Sequence, residues 1–184
     1  MSLKTRALAK QTRWYRRFHK YIAIPLMAFL LLVGVTGLLL TWKDELKLNP
    51  PSTLVKSYNS LISLKSIEDI ALHTADSLKL DNTINRIDYR PTKGIAKVRF
   101  EHHLTEIQIN CFTGDVISVK QRTADLIEMI HDGSIIDYLF KSKSENAKLL
   151  YSTMTSLGLI LLGLSGFIIW IRPKQIKVLK RKKR

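Results

Sequence analysis

The side chains best suited to chemistry in this 184-residue chain are five histidines, one cysteine and 15 carboxylates. Their spacing excludes most familiar catalytic machinery. There is no Gly-x-Ser-x-Gly elbow to present a serine nucleophile and no His-Glu-x-x-His pair for zinc. Nor is there a glycine-rich loop to cradle phosphate, or a second cysteine to complete a thiolate site. His102 and His103 are adjacent, so in an extended strand they point to opposite faces and cannot chelate one ion. His73 falls in a helical pattern with no ligand partner at i+4. Cys111 has no cysteine to pair with and reads as a small hydrophobic strand residue. The acids between the apolar runs are spread over positions that read as solvated faces. Catalysis within the chain is therefore not expected.

Two apolar segments must carry whatever positions these residues. Residues 21–42 and residues 149–171 contain no charged side chain. A hydrocarbon core about 30 Å thick needs about 20 helical residues, so each run is long enough to span. The chain is too short to surround two such helices with a soluble core. The first run is longer than the usual ~7–15 residues of a signal peptide, and no small-x-small cleavage site follows it, so it is expected to remain as an anchor. Gly34-x-Thr36-Gly37 and Gly163-x-Ser165-Gly166 place small residues where another helix could approach, a second copy of this chain included, although neither is a true Gly-x-x-x-Gly.

The formal charge of +15 is confined to the ends. Residues 1–20 hold seven Lys/Arg and residues 172–184 hold eight, with no acid in either, whereas residues 21–171 carry 15 of each sign. The outer flanks 43–60 and 129–148 carry six Lys/Arg against the 15 of the tails. The positive-inside rule then predicts that both termini face the cytoplasm. Basic tails beside spans engage anionic headgroups, and Trp14, Tyr15 and Phe18 fit an interfacial belt. No nucleic-acid role is expected. The organisation that follows is a basic N-terminal tail at 1–20, a span at 21–42, an exported domain at 43–148 with its core at about 64–122, a span at 149–171 and a basic tail at 172–184.

Within the exported segment, Asn49-Pro50-Pro51-Ser52 reads as a stiff exit from the first span. Ser66-Ile67-Glu68-Asp69 resembles a capping box opening a helix at about 67–79. The period then becomes two. Ala96, Val98 and Phe100 alternate with Lys97, Arg99 and Glu101, and Ile107, Ile109 and Cys111 with Glu106, Gln108 and Asn110, which predicts half-buried strands with one face in water. Further strands are expected at about 84–90 and 116–120, and a second helix at 123–131. The fold class is thus a membrane protein with two transmembrane α-helices flanking a small α+β extracytoplasmic domain.

The order of these parts is familiar. The segment from Ile109 to Ile117, with Thr113-Gly114-Asp115-Val116 at its centre, resembles a PepSY domain, although Asn110 and Asp115 replace that family's usual acids. Arg17-Phe18-His19-Lys20 entering the first span, Ile130-His131-Asp132-Gly133, and the closing Leu164-Ser165-Gly166 to Arg172-Pro173 look like the helices of PepSY-associated transmembrane proteins. The resemblance runs from residue 13 to 173.

That resemblance implies an inner-membrane protein with a periplasmic PepSY-like domain acting as a non-enzymatic binding or accessory subunit. Its partners would be membrane lipids and an envelope protein or a second copy. PepSY domains have been proposed to inhibit or regulate peptidases. The rival reading is an oxidoreductase-type subunit: larger relatives are linked to periplasmic iron–siderophore reduction with haem b between helices, and His19 and His131 are then the candidate axial ligands. The two histidines lie at opposite membrane edges, about 30 Å apart. One haem cannot take both from one chain, so a bis-histidine site needs two copies.

Overall fold

A computed structural model describes residues 3–56, 60–142 and 144–181. The last three residues of the basic C-terminal run, Lys182, Lys183 and Arg184, lie outside the described residues. The chain divides into two compact units, residues 1–35 with 144–184 and residues 36–143.

The first unit is helical. Helix α1, Leu3–Thr41, runs without a break through the basic segment and the apolar run, and a second long helix, Asn146–Arg181, closes the chain. Both pass the length and composition required to cross a bilayer, with an 18-residue stretch of mean hydropathy 2.5 in the first and 2.1 in the second. Their apolar side chains face outward, as Leu31 at 64% and Phe167 at 59% exposure illustrate. A soluble protein would bury such residues, whereas lipid solvates them. The helices touch at Gly158, where a Cβ would stand 2.7 Å from Leu26 Cδ2, so a larger residue there would require the Leu26 side chain to shift. Phe29 and Tyr151 meet edge to face at 5.8 Å. At the end of the second apolar run, Lys174 Nζ stands 3.3 Å over the Trp170 ring.

The second unit is a four-stranded antiparallel meander, β1 (Ile84–Arg90), β2 (Ile95–Phe100), β3 (Thr105–Asn110) and β4 (Val116–Gln121), in spatial order β1-β2-β3-β4. Helix α2, Leu64–Ser77, packs on one face through Ile67, Ala71 and Ala75. These recur every four residues, and the two alanines admit the sheet closely. Against them stand Ala96, Val98, Phe100, Ile107 and Ile109, all buried. After β4 come α3 (Thr123–Asp132) and α4 (Ile135–Leu139), with the second long helix completing the series as α5.

Three local expectations are corrected. The N-cap of α2 is Ser63, not Ser66: its hydroxyl accepts from the Ser66 amide at 3.0 Å, and the helix begins three residues earlier than the capping-box reading put it. Cys111 is buried in the core, but in the turn after β3 rather than in the strand. The third concerns the polar face of the sheet. Lys97, Glu106 and Gln108 are all but inaccessible, at 4%, 0% and 1% exposure. The face read as wet is covered by the chain leaving α1. Lys97 Nζ donates to the Pro50 carbonyl at 3.3 Å and Gln108 Nε2 to that of Pro51 at 2.9 Å, while the Thr53 amide donates to Gln108 Oε1 at 3.4 Å. The Val55 amide joins the Lys93 carbonyl at 2.9 Å. Gly94, at φ +68°, makes this closure possible: a Cβ there would fall on the Val55 carbonyl oxygen.

Candidate functional site

Two histidines singled out in the sequence each meet a hydroxyl on an apolar helix. In the helical unit, His19 Nδ1 lies 2.8 Å from Ser165 Oγ. That hydroxyl already donates its single hydrogen to the Leu161 carbonyl at 2.6 Å, a back-bond within α5. In the tautomer that leaves this back-bond intact, Ser165 accepts from His19 Nδ1–H and Nε2 keeps its lone pair. The Cε1 edge of the ring lies 3.6 Å from where a Gly166 Cβ would be.

In the sheet unit, His131 near the end of α3 has its Nδ1 2.8 Å from Thr36 Oγ1, and its Cε1 lies 3.4 Å from a Cβ built on Gly37. Gly133 at φ +83° ends α3 two residues later. Among the described residues no hydrogen bond reaches Nε2 of either histidine. Gly37 and Gly166 thus each lie beside an imidazole, whereas among the described residues no atom beyond the local helix backbone comes within 4 Å of a Cβ position at Gly34 or Gly163. The sequence marked the histidines and the small residues separately. Their pairing across 146 and 95 residues left no local signal.

Of the other histidines, His73 and His102 are exposed and His103 is packed into the sheet unit. His103 accepts from the Thr105 amide at 3.3 Å and stacks on Phe100 at 4.6 Å. The His102 ring stands 4.0 Å from the Glu101 carboxylate, and its carbonyl accepts from the Tyr138 hydroxyl at 3.1 Å. Among the described residues no three His, Cys, Asp or Glu side chains gather as a metal site.

A second constellation, on the polar face of the sheet, was not anticipated. Glu106 is fully buried and serves three cations: Lys97 Nζ at 2.9 Å, Arg122 Nη1 at 2.6 Å and Arg99 Nε at 3.7 Å. Gln108 Nε2 adds a hydrogen bond at 3.2 Å. Arg122 also forks onto Asp125, at 2.7 and 2.9 Å. Burial, and then the neighbouring Arg122 and Arg86, push the Arg99 guanidinium below its ordinary value. Arg122 is held above its own despite burial, by Asp125 and Glu106. On the next strand the Arg90 hydrogen bond holds Asp88 below the usual carboxylate range. A cavity of about 1050 Å³ opens on this face, with Lys97, Arg99 and Arg122 among its walls. The alternation of β2 and β3 located these side chains on one face; what covers that face comes from a segment 47 to 57 residues distant.

No curated protein matches the sequence. The model of the PepSY-associated TM region matches residues 16–184, nearly the whole chain and both long helices. With two helices apolar and long enough to cross a bilayer, the chain is a membrane protein belonging to the family of PepSY-associated transmembrane regions.

Proposed function

We propose that this protein is an inner-membrane-anchored binding or accessory subunit, with both basic termini in the cytoplasm and a PepSY-like sheet domain presented to the periplasm. The observation that supports this reading is the recess on the polar face of the sheet. A face serving only as scaffold would be solvated; here buried charges line a cavity large enough for a ligand. The asymmetry of 15 tail Lys/Arg against six on the outer flanks supports the orientation.

Cysteine labelling tests both parts. Native Cys111 is fully buried and burial raises its thiol, so it gives no background. Ser52→Cys, on the rim of the cavity, is expected to react with a membrane-impermeant maleimide added to spheroplasts. Labelling only after the membrane is permeabilised would overturn the orientation and the role built on it.

A second reading is favoured by the histidines: a haem-bearing electron-transfer subunit. The side chains present fit that group. A metal-ligating imidazole typically anchors its other nitrogen to a hydrogen-bond partner, and both His19 and His131 have Nδ1 so engaged and Nε2 unengaged. Haem would supply one-electron chemistry; the chain would supply one imidazole at each place, oriented by Ser165 or Thr36, so bis-histidine ligation calls for a second copy. A Soret band in the purified protein, reduced by His19→Ala or by His131→Ala, supports this reading. A protein that stays colourless after incubation with hemin eliminates it.

A further inference from the structure

We propose that the cationic cavity on the polar face of the sheet is a binding site for a phosphate-bearing anion, drawn from a lipid headgroup or from solution. The assignment rests on reading the sheet domain as a ligand-receiving module and names the chemistry of what it receives.

The charges at the cavity are unbalanced. Its floor is built from Arg90, Lys97, Arg99 and Arg122, whose partners are the carboxylates of Asp88, Glu106 and Asp125. Glu106 alone answers three of these cations, and the buried Arg99 Nε has no hydrogen-bond acceptor. At the rim stand three further cations, Lys43, Lys47 and Lys120, all exposed and in no ion pair among the described residues, against the single acid Asp44. Seven cations therefore face four carboxylates. A cavity walled by protein concentrates that excess field, and an anion entering it meets a guanidinium already desolvated.

Size and geometry narrow the class. About 1050 Å³ holds a headgroup or a small polyanion, not a folded partner. A phosphate offers several oxygens and up to two charges to converging cations, and guanidinium forks match it. Position in the chain brings a lipid within reach: Lys43 and Lys47 follow Trp42, the last residue of the first apolar run, by one and five residues. Lysines just past a span lie at headgroup depth.

The test uses the full-length protein in phosphatidylcholine nanodiscs. In one arm inorganic pyrophosphate is titrated calorimetrically. In the other, phosphatidylglycerol is added to the disc lipid and maleimide labelling of Ser52→Cys is timed. Pyrophosphate binding identifies a soluble ligand, and slowed labelling with phosphatidylglycerol alone identifies the lipid; either supports the proposal. The combined variant Lys43→Gln, Lys47→Gln and Lys120→Gln breaks no ion pair and is expected to weaken the effect roughly a hundredfold, about fivefold for each lysine. An unreactive Cys111 confirms that this variant is folded. No response to either probe, or an undiminished response in the triple variant, overturns the anion site. Outside labelling of Ser52→Cys would still stand in that case, leaving the module reading intact and only its ligand wrong.

Discussion

Neutralising Glu106 isolates the energetics of the covered face. Glu106→Gln keeps the volume and removes the charge that Lys97, Arg122 and Arg99 share. Arg122 retains Asp125, at 2.7 Å, and Arg99 was never hydrogen-bonded to the carboxylate. The loss therefore falls on Lys97, at 4% exposure, whose remaining partner is the Pro50 carbonyl at 3.3 Å. Stranding one buried charge costs about 3–5 kcal/mol. For a domain of this size that corresponds to roughly 12–40 °C in melting temperature. The assay is thermal exposure of Cys111 to a thiol-reactive fluorophore in detergent, since the chain's sole cysteine is buried in the core of this domain. Lys97→Met combined with Glu106→Leu should recover most of the loss, because apolar replacement of both partners removes the desolvation cost along with the attraction. A loss below about 1 kcal/mol for Glu106→Gln would match a solvent-screened pair and refute the burial of this face.

Arg99→Asp should destabilise the domain as Phe100→Asp does, because the new carboxylate would face Glu106 rather than water; a neutral Arg99→Asp in the same thermal assay would restore the solvated-face reading. Gly94→Ala should cost at least about 2 kcal/mol in the same melt, since φ is +68° and the Cβ meets the Val55 carbonyl and the Phe112 ring. Acid should act late: Asp88 is held low by Arg90, so its contribution is present above the unfolded carboxylate value near 4 and is lost as pH falls through the lower folded value. Circular dichroism followed from pH 7 downward measures this, and Asp88→Asn should remove that part of the acid dependence.

The strands were readable because alternation is a local property, and β2 and β3 fall where Ala96–Phe100 and Ile107–Ile109 place them. Alternation assigns residues to two faces but does not say what lies over each. Lys97 and Gln108 looked solvated because charge and amide usually are; the Pro50-Pro51 segment that covers them looked like a stiff connection. Ser63 and Ser66 both offer a capping hydroxyl, and the Ser66 amide bonded to the Ser63 hydroxyl marks the earlier start. The histidines stood out by position, while their hydroxyl partners, Thr36 and Ser165, resembled ordinary small residues of a packing patch. A hydrogen bond across 146 residues has no periodicity to announce it.

The covering segment also imposes an order of events. The sheet can grow by hairpins, each strand joining the one made before it. The cover is made before all four strands, yet its contacts reach Arg90 from Ser52 across 38 residues and Gln108 from Pro51 across 57. It must wait, extended and hydrated, until the last of its partners exists, and loop-closure entropy favours its docking after the hairpins. Because it is held through polar bonds and residues 51–54 are exposed, its release is expected to cost less than opening the β2–β3 ladder. Amide exchange should then run faster at Thr53 and Val55 than at the β2–β3 ladder, and each such opening would turn the recess into a cleft, giving access to the cavity its own rate.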